Sequence, residues 1–369
     1  MRKYSCSHSS SVIRKEEAQN IEILHLLKGE KNLKIIVIGL GSMGKRRIRL
    51  VKSMYPDIKL IGIDKKESRV QEVEKLFDIV CYSSITDAVE KEQPECAFVC
   101  TAPVSHGKII QECLQKGLHI FTEINLLSDL YDENMQLANE KNRLLFLSST
   151  PIYRGEIKKI KEIVEKNGNP VHYIYHVGQY LPDWHPWENY KDFFVGDERT
   201  NGCREILAIE LPWMLQTFGD ILECHVMSGK LTSLDLKCND SYSIILKHKN
   251  GSQGVLAVDV VCLEAVRKLE LYNEELYITW NGKPDTLYQK DIASKELVPL
   301  SSDEYLCEEG YSQFVNEYAY INELQYFFDS LERFKEKGSA AVKDSYGFLQ
   351  DKYTLALIDR IEGKYEDEL

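Results

Sequence analysis

The chain has 369 residues, 43% of them hydrophobic, and a formal charge of −12 from 58 acidic against 46 basic side chains. That length exceeds one ordinary core and predicts two domains plus appendages, while the acidic field repels phosphate backbones and excludes nucleic acid as the expected partner. No run reaches the length of a membrane span, and residues 1–30 are mixed and charged without an apolar signal core, so a cytoplasmic protein with no membrane partner is expected.

Residues 1–30 read as an extension. Its first part is serine-rich, and Ile21, Ile23, Leu24, Leu26 and Leu27 predict a short helix with an apolar face. Residues 33–38 form an isoleucine-rich strand that breaks at Gly39 into a glycine turn and a basic helix ending near Tyr55-Pro56. The next strand, 59–63, stops at Asp64, and 68–76 is the next helix. Strands at 96–100, 119–122 and 144–147 follow, interleaved with a helix over 106–116 and another capped by Ser128 or Asp129. Strands and helices alternating in this way predict an α/β fold, a doubly wound parallel sheet over 31–150 with helices on both faces.

After Pro151 the strands become longer, more aromatic and more alternating. Segments 171–180, 225–229, 242–248, 254–262, 268–272 and 275–280 predict one large, mainly antiparallel open sheet in a second α/β domain over 151–369. Asn250-Gly251 and Asn281-Gly282 mark turns, and 318–328 and 347–361 close the chain as helices. The ten cysteines are scattered without metal-type spacing, which predicts reduced thiols and no metal site.

The most informative motif is Gly39-Leu40-Gly41-Ser42-Met43-Gly44, which follows an apolar strand and opens a helix. Gly39 permits the tight turn, Gly41 lets backbone N–H groups approach a pyrophosphate, and Gly44 lets helix and strand pack closely. Asp64 would accept hydrogen bonds from the adenosine ribose and oppose a 2′-phosphate, which favours NAD. Lys65, Lys66 and Arg69 follow at once and would grip that phosphate instead, so NADP stays open. Lys45-Arg46-Arg47 reads either as a phosphate contact or as a solvated first helical turn.

These residues resemble the Gfo/Idh/MocA family of NAD(P)-dependent sugar and cyclitol oxidoreductases. The resemblance is carried by the glycine turn, Asp64, Thr101-Ala102-Pro103-Val104-Ser105-His106, Gly117-Leu118-His119-Ile120-Phe121-Thr122-Glu123 and Tyr153-Arg154. It implies a Rossmann domain joined to a substrate domain whose open sheet mediates a homodimer or homotetramer. It also implies that Thr101, Pro103 and His106 border the nicotinamide half of the cofactor and Glu123 its ribose. Two family features are replaced. Where lysine and proline usually follow the glutamate, this chain has Ile124 and Asn125. If Gly219 ends the helix that normally carries a catalytic histidine and aspartate, Ile209 and Pro212 occupy their places. Isoleucine and proline cannot exchange a proton.

Four side chains are candidate replacements: Glu205, Glu210, His185 and Lys191. The stretch from Gln179 to Lys191 is rich in groups suited to polyols, with Trp184 and Tyr190 able to stack on a sugar ring. Tyr153 and Arg154 would meet substrate near the nicotinamide, Arg154 through a carboxylate or phosphate. The expected function is hydride transfer between NAD(H) and a sugar or sugar-derived substrate, nucleotide-linked or acidic forms included. Two alternatives remain open: a cofactor-binding sensor or scaffold without turnover, and an enzyme that recycles a retained NAD within one cycle.

Overall fold

The computed structural model describes residues 33–184, 189–300, 314, 316–342 and 346–364. The extension expected over 1–30 and the candidate His185 lie outside the described residues. By the density of its contacts the chain parts into two units, Met1–Cys96 and Ala97–Leu369.

The first unit runs β1 (Lys34–Ile38), α1 (Ser42–Met54), β2 (Lys59–Ile63), α2 (Glu67–Phe77), β3 (Val80–Tyr82) and α3 (Ile85–Glu92). Ile35 to Ile38 and Leu60 to Ile63 are buried, as strands covered on both faces must be. Helix α1 packs through Ile48, Leu50, Val51 and Met54. Strand β3 and helix α3 were not expected from the sequence. The strand is only three residues long, and the helix is set by a local device, the Ser84 side chain accepting the Asp87 N–H.

The second unit continues with β4 (Cys96–Val99), α4 (His106–Gln115), β5 (His119–Thr122), α5 (Tyr131–Glu140) and β6 (Leu145–Leu147). The six-stranded sheet has the order β3-β2-β1-β4-β5-β6, and the pairs β1–β2, β2–β3 and β5–β6 are parallel. The expected cap of α5 is corrected by the structure. Leu130, at a left-handed φ of 62°, precedes the helix, and the Asp129 side chain pairs with Arg199 instead.

The larger sheet follows α6 (Gly155–Asn167). Its strands are β7 (His172–Gly178), β8 (Ile221–Gly229), β9 (Ser241–His248), β10 (Gln253–Asp259), β11 (Val266–Tyr272), β12 (Tyr277–Trp280), β13 (Tyr288–Lys290) and β14 (Leu297–Pro299). Their order is β14-β13-β12-β11-β7-β10-β9-β8. Among the described residues β7–β10 pairs in parallel and the other strand pairs of this sheet run antiparallel, so the sheet is mainly antiparallel, as the alternating strands predict. Asn250-Gly251 does turn β9 into β10, with Gly251 at φ 91°. Tyr173, Tyr175, Leu256 and Leu269 are buried on one face, whereas Ile174 and Ile245 stand exposed on the other.

Helix α7 (Gly202–Phe218) lies between β7 and β8 in the chain and is apolar on nearly every side, the pattern of a buried helix. Gly219, at φ 85°, ends it, as the resemblance requires. Helices α8 (Glu317–Lys337) and α9 (Phe348–Ile361) complete the chain. Phe327 of α8 enters an aromatic cluster with Phe98, Phe121 and Phe146, its ring centroid 5.3–5.5 Å from theirs. The Glu323 carboxylate on the same helix accepts from Ser148 Oγ, Ser149 N–H and Thr150 Oγ1, fixing the chain as it leaves β6.

Candidate active site

In the first unit the glycine turn has the geometry its composition demands. Gly39 sits at φ 92° and donates its N–H to the Ile63 carbonyl at 2.8 Å. A Cβ on Gly44 would lie 1.9 Å from the Gly39 carbonyl oxygen, so only glycine fits where strand and helix cross. At Gly41 the nearest atoms to such a Cβ belong to the half-exposed Arg69 guanidinium, 3.9 Å away, an ordinary contact with a flexible side chain. Helix α1 begins at Ser42 with no side-chain cap and no acidic residue in its first turn, leaving its N-terminal amides for an anion.

Asp64 is held beside this turn. Its Oδ2 accepts the Leu40 N–H at 2.9 Å and its Oδ1 the Lys66 N–H at 2.8 Å. A carboxylate offers about four acceptor positions, so two remain for ribose hydroxyls. Arg69 Nη1 stands 3.6 Å from Oδ2, half-exposed, whereas Lys65 projects into solvent. The solvated reading of Lys45-Arg46-Arg47 is corrected: Lys45 pairs with Glu72, and Arg46 and Arg47 are buried. The glycine turn, the uncapped helix and the oriented carboxylate fit a dinucleotide.

In the second unit β4 delivers Thr101, Pro103 and His106 in one turn. Ser105 Oγ lies 2.8 Å from both Thr101 Oγ1 and the Ala102 carbonyl. His106 is buried, with Nε2 2.8 Å from the Thr101 carbonyl and Nδ1 2.6 Å from Asn125 Oδ1. Burial pushes its pKa down, so the ring is neutral. Both nitrogens are committed within the protein, which leaves His106 to shape the turn rather than to touch a ligand. Glu123 is buried at the end of β5, its Oε1 3.9 Å from Cys100 Sγ.

The four catalytic candidates fare differently. Glu210 is enclosed and its carboxylate is spent: Oε1 pairs with Arg267, and Oε2 accepts from the Tyr175 hydroxyl and Trp213 Nε1, each at 2.7 Å. Lys191 is exposed and paired with Asp235 at 2.6 Å. Glu205, in the first turn of α7, is the exception. Part of its side chain reaches solvent, yet Oε2 is enclosed with no hydrogen-bond partner among the described residues, and burial pushes the carboxyl up to about 8. Ile209, one turn later, shares its face.

The substrate-binding candidates split. Arg154 is buried against Glu156, donates to the carbonyls of Phe314 and Gly282, and lies over the Trp280 ring, so it organises its own domain. Tyr153 is buried beside Tyr326. Trp184 and Tyr190 remain half-exposed, Trp184 Nε1 donating to the Gln179 carbonyl and the Tyr190 hydroxyl accepting the Asp235 N–H. Sequence reasoning missed Arg204, whose buried guanidinium donates to the Leu126 carbonyl and pairs with Asp359 and Glu362. An arginine in an otherwise apolar helix was the available signal.

Residues 33–149 match the Gfo/Idh/MocA model, the oxidoreductase family with an NAD-binding Rossmann fold. The Rossmann domain belongs to that family. It is an NAD(P)-binding domain. The chain is 26% identical over 141 residues to biliverdin reductase A from Homo sapiens, covering 37% of this chain and 47% of that protein. It is 29% identical over 137 residues to myo-inositol 2-dehydrogenase from Thermotoga maritima, covering 36% and 41%. The match thus spans less than half the length of these curated relatives. The whole fold is similar to a levoglucosan dehydrogenase solved with NADH and levoglucosan, at a TM-score of 0.72 and 16% identity over 90% of this chain and 96% of that one. Among the described residues no helix is long and apolar enough to cross a membrane.

Proposed function

We propose that the chain is a cytoplasmic NAD(P)-dependent oxidoreductase that moves a hydride to or from a sugar or sugar-derived substrate, with Glu205 as its acid or base. The observation that carries this reading is the enclosed, unpartnered carboxyl oxygen of Glu205 in a chain whose positions 124, 209 and 212 hold no proton-transfer group. A carboxyl raised to about 8 holds its proton at neutral pH and exchanges it readily, the property required of a general acid or base.

The dinucleotide would be held by Gly39, Gly41, Ser42, Met43, Gly44 and Asp64, with Thr101, Pro103 and Glu123 at its nicotinamide half. When bound, it supplies the hydride chemistry. Asp64 favours NAD, and Arg69 beside it supports admission of NADP. Trp184 and Tyr190 would offer ring faces to the substrate. The exposed Ile174 and Ile245 support assembly of a homodimer or homotetramer through the open face of the large sheet.

A second reading is favoured by the missing lysine and histidine together with the likeness to biliverdin reductase A: reduction of a conjugated, electrophilic acceptor, which needs less help from an acid. One experiment separates the readings. Protein loaded with the reduced cofactor is mixed in single turnover with ketosugars and biliverdin, and absorbance of the reduced nicotinamide is followed. Decay with a sugar supports the first reading and decay with biliverdin alone the second. Binding without decay under any substrate leaves a sensor or scaffold. Product without net redox change identifies a retained, recycled NAD, and no dinucleotide binding refutes the whole proposal.

A further inference from the structure

Asn125 stands where the family resemblance puts proline, and its side chain is built into a buried chain of polar groups. At one end His106 reaches the Thr101 carbonyl through Nε2, 2.8 Å away. Its Nδ1 meets the Asn125 amide at 2.6 Å. The other end of that amide is buried without a partner of good geometry, and the nearby Tyr131 hydroxyl feels it as a group that favours the phenolate. Tyr131 in turn hydrogen-bonds Asp351 of α9, whose second oxygen accepts from the Tyr346 hydroxyl at 2.7 Å. His106, Asn125, Tyr131, Tyr346 and Asp351 are all buried.

We propose that Asn125 is a positioning residue: through it, Tyr131 and Asp351 hold His106 as a neutral donor to the Thr101 carbonyl, fixing the turn that borders the nicotinamide half of the dinucleotide. This rests on the placement of Thr101 and Pro103 in the proposed function.

The proton inventory supports it. With Nε2–H given to a carbonyl, a neutral imidazole has only a lone pair at Nδ1, so Asn125 must present its NH₂ there; a side-chain amide can present either end at the same place. Asn125 Oδ1 then faces Tyr131 and accepts its O–H, and a protonated Asp351 donates to the Tyr131 oxygen. Every group in that arrangement is satisfied and uncharged. In the reverse arrangement one proton leaves Asp351 for His106 Nδ1, the amide turns over, and a buried imidazolium faces a buried carboxylate through two neutral groups. Burial disfavours that state from both ends, since it pushes Asp351 up to about 6 and His106 down. The other groups acting on the pair are Arg204, which favours the Asp351 anion, and Glu123, which favours the His106 cation.

Removing the one mobile proton at higher pH leaves two lone pairs opposed at Nδ1, so the turn should loosen as pH rises. The test uses the full chain. NAD⁺ affinity should fall about three- to tenfold between about pH 5 and about pH 8, the worth of one hydrogen bond, while ADP-ribose, which lacks nicotinamide, should bind equally at both. Asp351→Asn should flatten the NAD⁺ dependence, and Asn125→Leu should weaken NAD⁺ but not ADP-ribose. Nitrogen NMR of labelled histidine in the protein without cofactor should show His106 as the neutral Nε2–H tautomer at about pH 5, where Asp351 keeps its proton. A His106 that titrates with an ordinary pKa overturns the inference. So does equal pH behaviour of NAD⁺ and ADP-ribose, or an unaltered NAD⁺ affinity in Asn125→Leu. Where Asn125→Leu does not fold, the wild-type tautomer and the two-ligand comparison decide. Failure of both ligands to bind would instead strike the proposed function.

Discussion

Replacing Glu205 with Gln isolates the cost of one enclosed carboxylate. The two side chains have nearly the same volume, but only glutamate must ionise. Folding raises the carboxyl pKa from 4.5 to about 8 by desolvation, so between those values the folded chain binds the proton more tightly than the unfolded chain does. Stability from this group is therefore fully present below pH 4.5 and drains away as pH climbs through about 8. A shift of that size corresponds to at most about 5 kcal/mol, and about 2–4 kcal/mol is the working range because part of the side chain reaches solvent. Urea unfolding at acid, neutral and alkaline pH should show Glu205→Gln level with the parent in acid and more stable by that margin in alkali. Turnover of the variant should fall by about 10²–10⁴, the usual worth of a general acid or base, with dinucleotide affinity unchanged. A stability gap that does not change with pH refutes the desolvation argument. Full turnover in the variant removes Glu205 from the chemistry.

Gly44→Ala forces a Cβ to within 1.9 Å of the Gly39 carbonyl, and should abolish dinucleotide binding measured by calorimetry while costing about 1–3 kcal/mol of stability by overpacking. Asp64→Ala removes the charge that opposes a 2′-phosphate and leaves Arg69 in place, so the ratio of NADPH to NADH affinity should rise about tenfold, read by fluorescence titration of each. Glu210→Ala leaves the partly exposed Arg267 without its counter-charge and the buried Tyr175 and Trp213 donors without an acceptor, and should cost about 3–5 kcal/mol in urea melts; a variant of normal stability that has lost turnover would reverse the structural assignment of Glu210.

The dinucleotide half of the site was legible because its physics is local. A glycine turn, the strand before it and the helix after it all lie between Lys34 and Met54, and Asp64 follows the next strand as the pattern requires. Gly219 was equally readable, since a helix stop at positive φ has a residue preference of its own. The reaction half was not. Glu205 and Glu210 are indistinguishable in the sequence, both acidic residues on an apolar helix. Their difference comes from Arg267, 57 residues beyond Glu210, and from the absence of any such partner at Glu205 Oε2. Asn125 read only as a departure from a family pattern, because the bond from Tyr131 to Asp351 spans 220 residues and leaves no trace in periodicity. Three-residue strands such as β3 escape for a simpler reason, having too few side chains to display an alternation.

The replaced histidine position and the perturbed carboxyl are best understood as one change. Residues four apart on a helix share a face, so Ile209 presents its branched side chain to the same side of α7 as Glu205. A histidine at 209 would offer that carboxyl a hydrogen-bond partner and, when charged, a counter-ion, both of which lower a carboxyl pKa. Isoleucine offers neither and adds apolar surface, so desolvation is left as the only cause acting on Glu205. If the resemblance places the family's histidine at 209, the isoleucine there leaves, one turn earlier on the same helix, a carboxyl able to hold a proton at neutral pH. Under the proposed function, acid–base capacity on α7 would thus stand one helical turn earlier, on a desolvated glutamic acid rather than an imidazole.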